Sequence, residues 1–263
     1  MNATEAWSVG DRYEPYVGRW SRLVARSFLA WLEPPADLCW LDVGCGTGAL
    51  TETILERYAP RRVDGIDASQ AFVDHARAHV ADPRARFAVA DARRLPFDVS
   101  FDIAVSALVL NFIPEPRAAL AEMIRVARPD AVIAAYVWDY AQGMRMMRVF
   151  WDAAVQLDAD AQALDEGQRF PLCSSHGLEA LFAEAGLRDV QVRAIDVPTR
   201  FRDFDDYWSP FLGGQGPAPT YAMSLDEVRR DALRERIRAT LPVAPDGSIE
   251  LEARAWATRG SLH

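Results

Sequence analysis

The sequence predicts an α/β fold built on a doubly wound, mostly parallel sheet. Strand-like runs alternate with helical patterns as far as about residue 138, an order typical of such a sheet. A glycine-rich turn within residues 41–50, LDVGCGTGAL, joins the first strand to a helix, and aspartates close three successive predicted strands. The chain has 263 residues, half of them hydrophobic. That length suits one α/β domain with sizeable insertions.

The first predicted elements lead into the glycine-rich turn. Apolar residues recur at helical spacing over residues 18–32, and the prolines at positions 34 and 35 end that helix. Residues 38–43 then form a predicted strand, and residues 49–58 a predicted helix. The turn between them is therefore a strand-to-helix loop.

A loop of this kind is typical of nucleotide-like cofactor sites. Glycine permits positive φ and a close backbone approach, and the helix that follows points free N–H groups toward the ligand. Gly44, Gly46 and Ala49 also satisfy the dinucleotide fingerprint, which alone is weak evidence. Asp42 favours a different ligand, because a carboxylate two residues ahead of the first glycine would repel a pyrophosphate.

The next two predicted strands also end in acidic residues. Residues 62–66 form a strand closed by Asp67, followed by a helix over residues 69–80, and residues 85–90 form a strand closed by Asp91. Strand ends of this fold gather at one edge of the sheet, where three carboxylates would repel one another. A cationic ligand would account for all three.

The glycine motif carries a resemblance to a known family. Asp42, Gly44, Gly46 and Gly48 match the first motif of class I S-adenosylmethionine-dependent methyltransferases, an acidic residue followed by x-Gly-x-Gly-x-Gly. Their cofactor is net cationic, which suits an acid-lined cleft. The broad group that the chain resembles includes the ubiquinone and menaquinone biosynthesis enzymes. The resemblance implies a seven-stranded Rossmann-like sheet whose last strand runs antiparallel beside the fifth and sixth.

The resemblance also implies S-adenosylmethionine as the cofactor and a set of residues that bind it. Asp67 would accept hydrogen bonds from the ribose hydroxyls, and Asp91 would meet the exocyclic amine of adenine. In related enzymes N-terminal segments often touch the cofactor, and Arg19 would pair with its carboxylate, although a solvated arginine is an equal alternative. The predicted cofactor-binding residues are Asp42, Gly44, Cys45, Gly46, Gly48, Asp67, Ala68, Asp91, Ala92, Ala107, Tyr13 and Arg19.

The later elements are predicted from their apolar patterns. Strands are expected over residues 101–108, 131–138, 189–197 and 249–258, and helices over residues 116–127, 144–157, 177–185 and 225–241. At the turn before the fifth strand, relatives commonly carry glycine where this chain has Asp130. Aspartate tolerates left-handed geometry better than most residues, so we expect the turn to change slightly and the cofactor pocket to be unaffected.

We expect the methyl acceptor beside the cofactor, just beyond the fourth strand. Within the single domain, residues 1–36 are predicted as a helical cap and residues 37–139 as the cofactor-binding half. Residues 140–176 and 203–246 are predicted as insertions that form an acceptor cap or lid, with an ordinary surface loop as an equal alternative for the Gly-rich part of the second. Candidate acceptor contacts are Asn111, Trp138, Tyr140, Trp208 and Phe211, with core packing as the alternative for the aromatic residues.

Charge and composition exclude several other classes of function. The net charge is -9, from 38 acidic and 29 basic residues, which argues against a nucleic-acid substrate. The three cysteines show no paired or metal-ligand spacing, and His75 and His79 have no evident third ligand, so no metal site is predicted. The first residues lack a signal-peptide pattern and no apolar run is long enough to span a bilayer. We therefore expect a cytoplasmic protein.

The predicted function is transfer of a methyl group to a small molecule by in-line displacement. Such a reaction needs alignment of donor and acceptor and exclusion of water, and it requires no particular catalytic side chain. No catalytic residue is assigned for that reason, and the acceptor and oligomeric state stay open. The alternatives are an NAD(P)-dependent oxidoreductase and a non-catalytic S-adenosylmethionine-binding protein. The oxidoreductase is disfavoured by Asp42 and by the lack of a Tyr-x-x-x-Lys proton donor.

Overall fold

The computed structural model describes residues 18–213 and 216–262 of the chain. Their contacts define two compact units. The sheet unit comprises residues 21–137, 172–195 and 255–262, and the helical unit comprises residues 18–20, 138–171, 196–213 and 216–254. Tyr13 lies outside the described residues, so its cofactor contact stays a prediction.

Seven strands form one sheet, as predicted. The strands are β1 (Cys39–Val43), β2 (Arg62–Asp67), β3 (Ala85–Val89), β4 (Phe101–Ala107), β5 (Ala127–Trp138), β6 (Arg188–Phe201) and β7 (Ile249–Ser261). Their order is β3-β2-β1-β4-β5-β7-β6. The strands from β3 to β5 pair in parallel, and β7 is antiparallel between β5 and β6. The predicted doubly wound fold with an antiparallel last strand is therefore confirmed.

The central strand of the sheet is β1, which pairs with β2 on one side and β4 on the other. All five of its residues are buried, as expected for a strand covered on both faces. Four of them, Cys39, Trp40, Leu41 and Val43, are apolar. Asp42 is the exception, so its carboxylate lies inside the core.

The helices of the sheet unit begin and end within about two residues of the predicted positions. They are α1 (Arg19–Leu32), α2 (Ala49–Arg57), α3 (Gln70–His79), α4 (Pro116–Val126) and α7 (Ser175–Glu184). In α1, Phe28 packs on Tyr136 of β5 with ring centroids 4.8 Å apart. Ser69 caps α3 by accepting a hydrogen bond from the Phe72 N–H at 3.4 Å, and Asp130 has the left-handed φ of +61°. Asp130 thus adopts the left-handed geometry that the sequence analysis expected it to tolerate.

The helical unit contains α5 (Arg145–Leu157), α6 (Glu166–Arg169), α8 (Phe204–Trp208), α9 (Pro217–Ser224) and α10 (Glu227–Thr240). Short 3₁₀ turns cover Ala159–Leu164 and Ser209–Gly213. No helix was predicted over residues 204–213. Short helices form there because Tyr207, Trp208 and Phe211 are buried and their packing stabilises turns that local propensity does not indicate.

Candidate functional site

The glycine-rich loop between β1 and α2 passes through three left-handed residues. Gly44, Gly46 and Gly48 have φ values of +76°, +51° and +89°, a region that costs other residues free energy. A Cβ atom at Gly44 would also overlap the side chain of Val109, whereas a Cβ at Gly46 would meet no atom within 4 Å among the described residues. Gly44 is thus required by both backbone geometry and space.

Several amides of this loop donate to groups of the protein itself. Both Gly44 and Cys45 donate their N–H to the Ile66 carbonyl, at 2.8 and 2.9 Å. Gly48 donates to the Cys45 carbonyl at 2.9 Å. These three N–H groups, and that of Gly46 described below, are therefore engaged rather than presented as a cradle for a phosphate.

Asp67, at the end of β2, ties the glycine loop to the start of α3. Its Oδ2 accepts the Gly46 N–H at 3.0 Å, and its Oδ1 accepts the Ser69 N–H at 2.8 Å. Burial raises the pKa of this carboxyl, and the backbone hydrogen bonds from Ser69, Gly46 and Ala68 oppose that rise. A carboxylate has about four lone-pair sites, so Asp67 can also accept a bond from a ligand.

Asp42 is buried behind the loop. Its Oδ2 accepts the hydroxyl of Thr51 at 2.7 Å, whereas its Oδ1 has no hydrogen-bond partner among the described residues. Burial raises the pKa of Asp42 to about 7, the Thr51 hydrogen bond lowers it, and the charge of Asp67 raises it further. A cationic group nearby would favour the ionised form.

A cavity of about 240 Å³ opens beside Asp67. This is slightly below the roughly 300–1,000 Å³ of whole ligand pockets, so it suits part of a ligand. The lining residues are Gly44, Ile66, Asp67, Ala68, Ala90, Asp91, Ala92, Arg93, Val109, Phe112, Ile113 and Pro114. Five predicted residues, Gly44, Asp67, Ala68, Asp91 and Ala92, are thus brought together. The apolar wall from Val109 to Pro114 was only broadly anticipated, by the expectation that residues just beyond β4 approach the site.

Asp91 does not face the cavity as a free carboxylate. The Arg93 guanidinium lies 2.7 Å from it and also reaches Glu115 at 3.1 Å, and the hydrogen bonds from Arg93 lower the pKa of Asp91. Two of the three strand-end acids repel each other as predicted, since the charge of Asp67 raises the pKa of Asp42. Asp91 differs from the prediction, because Arg93 neutralises it.

A comparison with known protein families agrees with this geometry. Residues 41–135 match the family model described as a methyltransferase domain. The matched segment runs from the strand before the glycine loop to the middle of β5. The chain contains a methyltransferase domain. The resemblance to methyltransferases predicted from the glycine motif is therefore confirmed.

Relatives and solved structures share this methyltransferase domain. The chain is 30% identical over 186 residues to 2-methyl-6-phytyl-1,4-hydroquinone methyltransferase of Synechocystis sp., over 69% of this chain and 57% of that protein. It is 33% identical over 108 residues to trans-aconitate 2-methyltransferase of Enterobacter sp., over 41% of each chain. The chain thus spans less than two thirds of each relative.

Among solved structures, phosphoethanolamine N-methyltransferase 2 of Haemonchus contortus, in complex with S-adenosyl-L-methionine, has a TM-score of 0.58 and 16% identity. The match covers 92% of this chain and 53% of that one. Identity at this level shows a shared fold, and the fold does not by itself specify a substrate.

In the methyltransferase domain, a strained turn follows β4. Leu108 adopts φ of +59°, a conformation that costs a non-glycine residue about 1 kcal/mol or more, and its N–H donates to the Tyr136 carbonyl at 2.8 Å. Just beyond it, both polar atoms of the Asn111 amide are inaccessible and have no hydrogen-bond partner among the described residues. Strain and an unsatisfied amide at this strand end are features typical of a binding site.

Other predicted cofactor residues lie near the loop but do not line the cavity. The side chain of Cys45 is buried in an apolar cluster with Val73, Ala76 and Phe87, so only its main chain can face a ligand. Burial raises the pKa of this thiol, and all three cysteines are free. Ala107 pairs with Tyr136 in the register of β4 and β5.

The predicted residues of the helical unit are engaged in packing. Arg19 pairs with Asp206 at 3.2 Å and lies over the Trp20 and Phe201 rings. Tyr140 contacts Phe170, and Phe211 stacks on Phe150 with centroids 4.6 Å apart. Trp138, Tyr140, Trp208 and Phe211 are all buried. Their acceptor contacts, like the carboxylate contact of Arg19, stay predictions.

Two further features concern metal binding and membrane insertion. His75 and His79 stack on each other with centroids 3.9 Å apart, and the described part of the chain holds no group of three or more side chains that could bind a metal ion. No helix within the described residues is long and apolar enough to cross a membrane.

Proposed function

We propose that this protein transfers a methyl group from S-adenosylmethionine to a small-molecule acceptor. The proposal rests on the methyltransferase domain and on one observation at its loop. Asp67 holds the glycine loop through the Gly46 N–H and at the same time borders the cavity. A carboxylate in that position can accept the ribose hydroxyls of a nucleoside.

The engaged loop amides disfavour the oxidoreductase alternative. A dinucleotide binds its pyrophosphate through free N–H groups and a positive helix end. Here the N–H groups of Gly44, Cys45, Gly46 and Gly48 donate to the protein, and Asp67 adds negative charge. The loop therefore suits a ligand without phosphates.

The residues around the loop fit the cationic cofactor. The orphaned Oδ1 of Asp42 is a buried acceptor with no partner among the described residues, and a positively charged group offsets such a charge. The absence of a Cβ at Gly44 lets Val109 of the cavity wall approach the loop. When bound, S-adenosylmethionine supplies an electrophilic methyl group and a neutral thioether as the leaving group. This chain would hold it and exclude water.

We assign the parts of the site as follows. Asp67 and Ala68 hold the ribose, and Asp91 and Ala92 contact the adenine edge, with the wall from Val109 to Pro114 covering its face. Asp42, Cys45, Gly46 and Gly48 position the amino-acid end, Cys45 through its main chain, with Ala107 at the end of β4 and Tyr13 and Arg19 as further contacts. Arg19 would have to exchange Asp206 for the cofactor carboxylate.

The acceptor is assigned by chemical class. A quinone-type, phenolic or small acidic molecule fits the substrates named for the two relatives. Asn111, whose amide lacks a partner among the described residues, would orient a polar group of that molecule. Residues 140–176 and 203–246 would cap the acceptor, with Trp138, Tyr140, Trp208 and Phe211 supporting its apolar part, and residues 1–36 would cap the cofactor. No side chain is assigned as a general base.

Calorimetric titration with S-adenosylmethionine, S-adenosylhomocysteine and NAD tests the cofactor. We expect saturable binding of the first two and none of NAD; binding of NAD alone would overturn the proposal. Asp67→Asn should weaken binding, and Asp74→Asn, an exposed change on α3, should not. Labelled methyl transfer to hydroquinones, phenols and small carboxylic acids then tests catalysis. Binding without transfer to any of them would favour the non-catalytic alternative.

We also propose a cellular location for the protein and an acceptor that is not a nucleic acid. The net charge of -9 and the free, buried cysteines support a reducing, cytoplasmic location and an acceptor other than nucleic acid. Fluorescence anisotropy with labelled oligonucleotides at low salt tests the second point. Salt-dependent binding there would contradict it.

A further inference from the structure

The helical unit contains a second cavity, of about 490 Å³, a volume within the range of small-molecule pockets. It lies among α5, the turn Ala159–Leu164, α9 and α10. Its apolar lining comes from Ala154, Leu157, Leu225, Ala232 and Leu233, and its polar lining from Asp158, Asp160, Tyr221 and Arg229. None of these residues belongs to the proposed cofactor site.

Tyr221 lines this cavity with its aromatic side chain. Its side chain is packed against Trp151 and Phe150, with ring centroids 5.6 and 6.2 Å away, and the residue is only 7% exposed. The hydroxyl nevertheless makes no hydrogen bond to any described residue. Burial raises the pKa of Tyr221 and the nearby charge of Asp158 raises it further, so the hydroxyl stays protonated. A tyrosine hydroxyl that lines a cavity and donates to no described residue can bind a ligand's polar group.

The charges around the cavity favour a cation. Asp158 and Asp160 both line it, and Asp158 accepts only the Asp160 N–H among the bonds of its side chain to described residues. The one basic lining residue, Arg229, lies 3.7 Å from Asp226, a carboxylate that offsets its charge. An ammonium group between Asp158 and the Tyr221 hydroxyl would satisfy both.

We infer that this cavity binds a small amine whose apolar body is about the size of a phenyl ring. The ammonium group lies between Tyr221 and the two aspartates, and the body packs on the alanine and leucine side chains. The site is independent of the proposed methyl transfer, because binding of the amine requires neither the glycine loop nor a cofactor.

The test is titration of the full chain with three probes that share one body: phenylpropylamine, phenylpropanol and phenylpropionate, followed by calorimetry and ligand-detected NMR. We expect the amine to bind saturably and at least about tenfold more tightly than the carboxylate. The two probes carry opposite charges, and the aspartates attract only the amine. Tyr221→Phe should weaken amine binding about threefold to tenfold, the effect of losing one hydrogen bond.

A matched pair on α10 localises the binding. Ala232 lines the cavity and Ala239 does not, and both are exposed positions of the same helix. Ala232→Leu should abolish binding, whereas Ala239→Leu should retain it, and leucine suits a helix at both sites. The inference is overturned by amine binding that is absent, equal to that of the carboxylate, or unchanged in Ala232→Leu. Binding of S-adenosylmethionine, measured separately, is unaffected by either outcome.

Discussion

The hydroxyl of Thr51 in α2 donates to the carboxylate of Asp42 in β1 across 2.7 Å, and both residues are fully buried. This bond joins the strand before the glycine loop to the helix after it. Since Asp42 lies in the middle of an otherwise apolar strand, Thr51 is the one described side chain that compensates its burial. The conformation of the loop is thus coupled to the protonation of a core acid.

Replacing Thr51 should destabilise the fold in a pH-dependent manner. Thr51→Val removes the only described side-chain donor to Asp42, and a hydrogen bond to a charged group contributes about 1.5–3 kcal/mol against about 1 kcal/mol for a neutral one. The loss in unfolding free energy should therefore be larger at about pH 8, where Asp42 is ionised, than at about pH 5. Denaturant titrations at the two pH values measure it.

The control is Thr53→Val on the same helix. Thr53 is also buried, but it donates to the Ala49 carbonyl at 2.7 Å, a neutral acceptor. Its replacement should cost the same at both pH values. Equal pH dependence in the two variants would contradict the assigned role of Thr51.

Asp42 itself should make the free energy of unfolding fall as pH rises. Burial raises its folded-state pKa to about 7, whereas an unfolded aspartate titrates near pH 4. The folded state therefore holds a proton that the unfolded state releases, and the stabilisation present below about pH 4 is lost as pH rises to about 7. Between about pH 5 and pH 8 this linkage amounts to about 2–3 kcal/mol.

Asp42→Asn should remove that component from the pH profile of unfolding free energy. Asparagine still accepts the Thr51 hydroxyl but does not titrate. Asp74→Asn, at an exposed position of α3, should keep the wild-type slope. A wild-type slope in Asp42→Asn as well would show that other groups cause the pH dependence.

Gly44→Ala should be more damaging than Gly46→Ala. Both place a side chain at positive φ, at a cost of about 1–2 kcal/mol, but only the Cβ at position 44 overlaps Val109, which adds about 1–3 kcal/mol of overpacking. Thermal unfolding of both variants measures the difference. Val109→Ala in the Gly44→Ala background should recover part of it, and a lack of recovery would mean that Val109 is not the obstacle.

Asp91→Asn should weaken S-adenosylhomocysteine binding about fivefold to tenfold, as expected for one hydrogen bond to a charged group. Its effect on stability should be within about 1 kcal/mol, because the pair with Arg93 is half exposed. Glu115→Gln is the matched control, since Glu115 also pairs with Arg93 but does not line the cavity. Calorimetry should find that Glu115→Gln binds S-adenosylhomocysteine with unchanged affinity. Equal losses in both variants would assign the effect to Arg93 instead.

The sequence alone was sufficient to predict the strand, loop and helix around Gly44, Gly46 and Gly48. These elements depend on local rules, because apolar periodicity specifies strands and helices and a left-handed turn requires glycine. Aspartates at strand ends were equally visible, since parallel strands bring their carboxyl ends to one edge. The sheet order followed from the family resemblance.

Only the tertiary structure decided what those aspartates contact. Thr51 reaches Asp42 and Arg93 reaches Asp91, and both pairs depend on side-chain directions that sequence spacing does not specify. The short helices around Trp208 form because aromatic burial outweighs weak local propensity. The second cavity joins Asp158 to Tyr221, 63 residues later in the chain. Local sequence determined which elements form, and packing between distant segments determined which side chains meet.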